Sequence, residues 1–493
     1  MSRSLNAFLL PVLMLFGIGS ADKPPPKLAG HWSTSLSTDE QKRVNKAIER
    51  GVVYLKKTQL LSGTWGNGDL KVQAWPLGYS ALAGLTLLES GVPARDSAVQ
   101  KGAAFLRERE STLRRTYEIS LAVLFLDRLG ESTDRKLIQS LAIRLVAGQN
   151  STGGWGYTCP VLEPEQEKNL IKELRQQKTA ERVGQKGKKQ LRPEGTGDNS
   201  NTQFAILALW AAGRHDLPVH LALARVEQRF RSSQQADGWT YWFNQKRPRY
   251  GSMTCVGLLA LGVGRGLDFS TERKEEGTSQ AKNKDKMILS GLRALGNYLK
   301  DPRDRVVAGV NGNWDAILGP KNARPRGKLN LYFLWSVERV GVLYNLQTIG
   351  GKDWYRWGVE YLLPAQEDDG SWFSEGYLGS SPTTDTCFAL LFLKRADLLP
   401  DLSQALQKQL KIGDPGISPS QKLDLKIGIE KKTITDPGLD KSITPKKSPG
   451  EKWDPKTGKK SPGQKSDIRE KEPQLKDGIR KKEGDEKSGP QSK

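Results

Sequence analysis

Apolar residues recur at helical spacing along most of this chain, in two alternating styles. The first is amphipathic: over residues 218–234 a charged face of Arg225, Glu227, Gln228, Arg229 and Arg231 flanks an apolar stripe. The second is apolar on almost every side, as in Phe204-Ala205-Ile206-Leu207-Ala208-Leu209-Trp210-Ala211-Ala212, and a helix of that kind is normally buried. The pattern predicts helices near 40–59, 76–90, 96–109, 116–129, 134–149, 199–213, 218–234, 252–265, 286–300, 329–345, 352–366 and 384–396. They fall into about six pairs, and no convincing pair of strands stands among them.

Between an amphipathic helix and the apolar one that follows, a short phrase returns. It reads Gln59-Leu60-Leu61-Ser62-Gly63-Thr64-Trp65, Gln149-Asn150-Ser151-Thr152-Gly153-Gly154-Trp155, Gln234-Gln235-Ala236-Asp237-Gly238-Trp239 and Gln366-Glu367-Asp368-Asp369-Gly370-Ser371-Trp372, with a degenerate copy ending at Asn313-Trp314. Glycine lets the chain reverse with positive φ, the Trp ring covers the start of the following helix, and Gln caps backbone groups at a helix end. With amphipathic helices outside and all-apolar helices inside, repetition of this unit implies an all-α fold, an α/α toroid of about six hairpins in an inner and an outer ring.

The Gln-to-Trp phrase, with its upstream pairs Tyr54-Leu55, Phe105-Leu106, Tyr298-Leu299 and Tyr361-Leu362, resembles the prenyltransferase and squalene-oxidase repeat over residues 40–400. The resemblance implies the toroid shared by squalene cyclases and protein prenyltransferase catalytic subunits, without implying either activity. Class II terpene cyclases protonate an alkene or epoxide with the central Asp of an Asp-x-Asp-Asp motif, and none occurs here; Glu367-Asp368-Asp369 sits in a Trp turn. Protein prenyltransferases place zinc on an Asp, a Cys two residues later and a downstream His. Asp385 and Cys387 match the first part, but His31, His215 and His220 all lie upstream, which leaves the third ligand missing. Thr386-Cys387 also aligns with Thr254-Cys255 and Thr202-Gln203 at the starts of other inner helices, so the cysteine doubles as a small residue for close packing. The Gly-Cys-Gly-Glu-Gln signature of thioester-bearing complement-like toroids is absent.

Composition adds context to this scaffold. Residues 1–21 carry Arg3, an apolar run from Phe8 to Ile18 and the small residues Gly19, Ser20 and Ala21, the pattern of a secretory signal or an uncleaved anchor. The expected location is therefore exported: periplasm, cell envelope or outside the cell. Residues 22–39 read as a linker. Cys159, Cys255 and Cys387 are too few to frame a chain of 493 residues with disulfides. Much of the net charge of +22 lies in basic stretches at 161–197 and 270–286, read as surface insertions, and in a Lys/Pro/Gly-rich tail at 411–493, read as disordered. Acidic residues interleave its lysines, which argues for a solvated tail rather than a nucleic-acid partner; membrane association is expected only through the leader or the tail.

If the ring closes, the starts of the inner helices share one mouth. Asp385, Cys387 and Glu118 are the candidate catalytic residues there, with Asp385 and Cys387 also the incomplete metal pair, so that zinc is the one cofactor left open. Tyr117, Asn199, Gln203, Cys255 and Tyr332 are the candidate binding residues. Asp198, Asn199, Ser252 and Thr383 also suit helix caps. Two functions follow: a binding or scaffold protein that uses the mouth for a lipid, a glycan or an envelope protein, and an enzyme acting at the Asp385, Cys387, Glu118 rim by acid–base chemistry.

Overall fold

The computed structural model describes residues 36–65, 75–182, 194–243, 245–246, 249–270, 286–299, 329–377 and 379–409. The leader, the Asn313-Trp314 turn and the basic tail lie outside them. The helices are α1 Thr38–Thr58, α2 Pro76–Glu89, α3 Ser97–Glu108, α4 Thr116–Leu129, α5 Arg135–Gly148, α6 Pro164–Arg182, α7 Asn199–Ala212, α8 His220–Ser233, α9 Gly251–Ser270, α10 Lys286–Tyr298, α11 Leu331–Leu343, α12 Trp354–Leu362, α13 Pro382–Lys394 and α14 Pro400–Gln409. One two-residue hairpin, β1 Thr348–Ile349 with β2 Lys352–Asp353, precedes α12.

Six helices pack in a closed cycle, α2 on α4, α4 on α7, α7 on α9, α9 on α11, α11 on α13 and α13 back on α2. These are the all-apolar helices, and α7 is buried along nearly its whole length. The amphipathic helices α1, α3, α5, α8, α10 and α12 pack around them, each with one apolar stripe, as on α1, where Val44, Ala47, Gly51 and Leu55 are buried. The fold is therefore the all-α toroid that the alternation of helix styles implies.

The Trp turns lock neighbouring units together. The indole N–H of Trp65, Trp155, Trp239 and Trp372 donates to the carbonyl of Leu55, Leu145, Phe230 and Leu362, at 2.6, 2.7, 2.8 and 2.8 Å. Each acceptor lies four residues before the turn glutamine, among the carbonyls that a helix end leaves without an internal partner. The glutamine amides reach further, from Gln59, Gln149, Gln234 and Gln366 to the carbonyls of Ala98, Ala222, Met287 and Ala47 on the next outer helix, each at 2.8 or 2.9 Å. The last of these joins the final turn to α1 and fastens the ring shut. Each such bond contributes about 1 kcal/mol net. Gly370 shows why the turn needs glycine: its φ is 92°, and a Cβ there would lie 2.5 Å from the Arg50 carbonyl of α1.

The inner-ring threonines complete the joint. Oγ1 of Thr202, Thr254 and Thr386 accepts the backbone N–H of Trp155, Trp239 and Trp372, so the Thr-Cys alignment of the sequence records a shared structural contact. At the far end of the ring, α14 packs on α9 and α11. Its Asp401 accepts from Trp210 Nε1 and Arg214 Nη2 at the end of α7, and Leu402 and Leu406 are buried. This helix covers the ends of the inner helices opposite the mouth.

Candidate functional site

At the mouth, the starts of neighbouring inner helices are joined by hydrogen bonds, and the carboxylates there serve those joints. Asp198 is the N-cap of α7: it accepts the Asn201 N–H at 2.6 Å, the Asn201 amide at 2.7 Å and the Ser200 hydroxyl at 2.9 Å. Burial raises its carboxyl above the ordinary value while these bonds pull it back. Because the Ser200 proton points to Asp198, Ser200 Oγ accepts from both Tyr117 and Tyr241, each at 2.6 Å. Tyr117 is thus tied into a hydroxyl chain across the α4–α7 seam, and its phenol is pushed well up, by burial first and by Tyr241 and Asp198 second.

Glu118 lies in the first turn of α4, 7 % exposed, where its carboxylate accepts backbone N–H groups of Arg115 and of Gly78 at the start of α2. Burial raises its pKa, with Arg115 opposing. It therefore caps two helix starts at once. Asn199 faces the outer wall: its oxygen accepts from Arg229 Nε and Nη2 at 3.0 and 2.9 Å, and its amide donates to the Thr240 carbonyl at 2.8 Å.

Asp385 and Cys387 part company. Asp385 Oδ2 accepts from Ser374 N at 2.9 Å and Ser380 Oγ at 2.7 Å, holding the loop before α13. Cys387 points into the α13–α2 seam, where its thiol meets Thr86 and burial pushes it up to about 12. Among the described residues no three His, Cys, Asp or Glu side chains gather into a metal-binding group, so the donor set present does not fit zinc. Of the histidines, His215 pairs with Asp127 at 2.8 Å, and His31 lies outside the described residues.

Three of the five candidate binding residues meet deeper in the ring. Gln203 on α7, Cys255 on α9 and Tyr332 on α11 surround two residues of α11 that the sequence reading passed over, Trp335 and Arg339. Above them lies an aromatic layer: Phe204 of α7 reaches across the ring to Trp335, ring centroids 5.4 Å apart, and Trp335 stacks on Phe388 of α13 at 4.7 Å. Tyr332 and Tyr377 extend the layer, each 5.9 Å from Phe388.

The polar atoms of this interior are poorly satisfied. The Arg339 guanidinium lies 3.5 Å from the Trp335 ring centroid and donates once, from Nη2 to Ser336 Oγ at 3.1 Å. Its Nη1 and the Trp335 Nε1 are buried without a hydrogen bond among the described residues, and beside them the Gln203 amide and the Tyr332 hydroxyl lie against each other. Burial lowers Arg339 to about 10, which leaves it cationic at neutral pH. Burial raises the acidic groups beside it, Tyr332, Cys255 and Glu338, with Arg339 opposing in each case. An unpaired buried donor costs about 1–3 kcal/mol, more for a charged one.

The missed residues carried a signal. Glu338-Arg339 interrupts an inner helix that is otherwise apolar on every side, Leu331 to Leu343, and a charged pair in such a helix faces either a partner or a cavity. An open groove of about 610 Å³ on the outside of the ring lacks this character. There Arg107 pairs with Asp134 and Glu131, Arg144 donates to the Pro160 and Leu113 carbonyls, and Ser140 bonds Glu167.

No family model matches the chain, and no curated protein matches it. Three solved structures of variants of the type II terpene cyclase MstE from Scytonema do match. One in complex with geranylgeranyl dihydroxybenzoate, its substrate, is 14% identical with a TM-score of 0.43, covering 76% of this chain and 99% of that one. An apo form is 15% identical with a TM-score of 0.44, covering 75% and 99%. A complex with the product merosterolic acid A is 15% identical with a TM-score of 0.42, covering 75% and 100%.

Proposed function

We propose that this chain is a binding protein whose toroid interior, reached from the mouth, holds a small apolar molecule. The carrying observation is the contrast in polar satisfaction. The rim carboxylates Asp198, Glu118 and Asp385 are engaged as caps and loop anchors, whereas Trp335 and Arg339 present unpartnered polar atoms beside aromatic walls. A few convergent polar groups in an apolar, concave surround are the usual make-up of a small-molecule site. Acid–base catalysis at the rim has less behind it, because the groups it needs already hold the helix starts in place. The exported location, and a lipid, glycan or envelope component as the natural partner, belong to this proposal.

The test is titration of the purified protein with N-phenylnaphthylamine, a neutral apolar fluorophore. A saturable rise in emission is expected, abolished in Cys255→Phe, which fills the interior. No saturable binding by the wild-type protein sinks the reading.

A further inference from the structure

We infer that the interior site recognises an anionic head group, and that the ligand is an apolar molecule ending in a carboxylate which Arg339 pairs. This rests on the binding reading above and assigns the chemical class of its ligand.

The geometry selects the sign of the head group. Around Trp335 the buried polar atoms without partners are two donors, Arg339 Nη1 and Trp335 Nε1, while the Tyr332 hydroxyl and the Gln203 amide beside them lie against each other. They are brought together from two inner helices, α7 and α11, with Cys255 of α9 beside them. Arg339 is 6 % exposed and Trp335 1 %, so water contributes little to either. A carboxylate has only acceptors and about four lone-pair sites, and a guanidinium meets it in two parallel bonds. A cationic head group would place two positive charges in one buried space, and an alcohol would leave the guanidinium charge uncompensated.

The charge balance agrees. Arg339 has no ion-pair partner among the described residues, and its sequence neighbour Glu338 leaves both carboxyl oxygens without a hydrogen bond there. Burial pushes that carboxyl well above its ordinary value, with Arg339 opposing, and no hydrogen bond ties it to the guanidinium among the described residues. An uncompensated cation in a low-dielectric interior is strongly unfavourable, and an incoming anion removes that penalty. The rings of Phe204, Trp335 and Phe388 then offer the apolar tail its contact surface.

The experiment is displacement of bound N-phenylnaphthylamine from the full chain at neutral pH by dodecanoate, by dodecanol and by acetate. Dodecanoate is expected to compete at least about tenfold better than dodecanol, and acetate not at all at the same concentration. Arg339→Met should erase the preference for dodecanoate while keeping the fluorophore and dodecanol, and Arg339→Lys should retain a reduced preference. Should Arg339→Met fail to fold, Trp335→Phe and Gln203→Leu, which leave the charge in place, are each expected to narrow the preference. Equal competition by dodecanoate and dodecanol in the wild-type protein overturns the anion assignment and leaves the apolar site standing. Competition by acetate overturns the apolar-tailed ligand in favour of a small free anion. Absence of fluorophore binding is the separate failure of the parent reading.

Discussion

The Trp turns and the ring interior are both buried and both rich in polar side chains, yet they treat their hydrogen bonds in opposite ways. In the turns, indole and glutamine N–H groups find carbonyls at 2.6 to 2.9 Å, four times over. In the interior, the Arg339 guanidinium and the Trp335 indole stand together with a single bond to the scaffold among the described residues, from Arg339 to Ser336. The turns join helix ends to one another, so their geometry is fully set by the fold. The interior faces inward from several helices at once, and Arg339 Nη1 and Trp335 Nε1 there meet no acceptor among the described residues.

Four substitutions break or sharpen this contrast. Trp372→Ala should have the largest effect: it removes a fully buried ring wedged beside Gly51 and strands the Leu362 carbonyl, at a cost of about 3–5 kcal/mol in denaturant unfolding. A loss under about 1 kcal/mol means that the turns do not hold the ring together.

Next comes the floor of the interior, where burial raises Glu89 from 4.5 to about 7, with Asp397 adding to the rise and Arg128 and Lys394 opposing it. Here the folded-state pKa lies above the unfolded one, for a carboxyl. Between pH 4.5 and about 7 the unfolded chain releases this proton and the folded one keeps it, so stability falls as pH rises through that window. Glu89→Gln should therefore leave stability near pH 4 unchanged and raise it near pH 8 by at most about 3 kcal/mol. A melting profile that keeps its full slope in the variant removes Glu89 as the source.

Arg339→Met should have the sign opposite to a turn substitution. Removing an unpaired buried charge is expected to stabilise the ligand-free protein by about 1–3 kcal/mol. Strong destabilisation on chemical denaturation would place Arg339 with the scaffold and erase the contrast. The smallest effect belongs to Gln366→Leu, which leaves the Ala47 and Gly370 carbonyls unmet at the closing seam and should cost about 1–2 kcal/mol. Hydrogen exchange is expected to quicken in α1 and α12 first, and a uniform change across the ring would dissociate the seam from Gln366.

Much of the scaffold was legible in the residues. The twelve helices anticipated from periodicity are present, because an amphipathic stripe and an all-apolar run are local properties of the chain. Among the described residues two helices were not anticipated. One is α6, a strongly charged helix inside the stretch at 161–197; the other is α14, whose few apolar positions, Leu402 and Leu406, make sense only against α9 and α11. Of the candidate site residues, Gln203, Cys255 and Tyr332 converge in the interior and Tyr117 joins the hydroxyl chain above them, while Asn199 turns to Arg229 and Glu118 to backbone N–H groups. Each of those residue types suits a cap as well as a ligand, and only the neighbour that arrives from another helix decides which.

The sequence by itself determined the repeating unit, which helices are inner and which ends form the mouth, because hydrophobic periodicity and the Gln-Gly-Trp turn act within about thirty residues of chain. The tertiary structure alone decided that Trp335 meets Phe204, and Tyr332 meets Gln203, from a helix far upstream, and that Asp385 holds the loop before α13 while the Cys387 thiol meets Thr86. Those relations depend on closing the ring from α13 onto α2, which fixes the direction in which every inner side chain points.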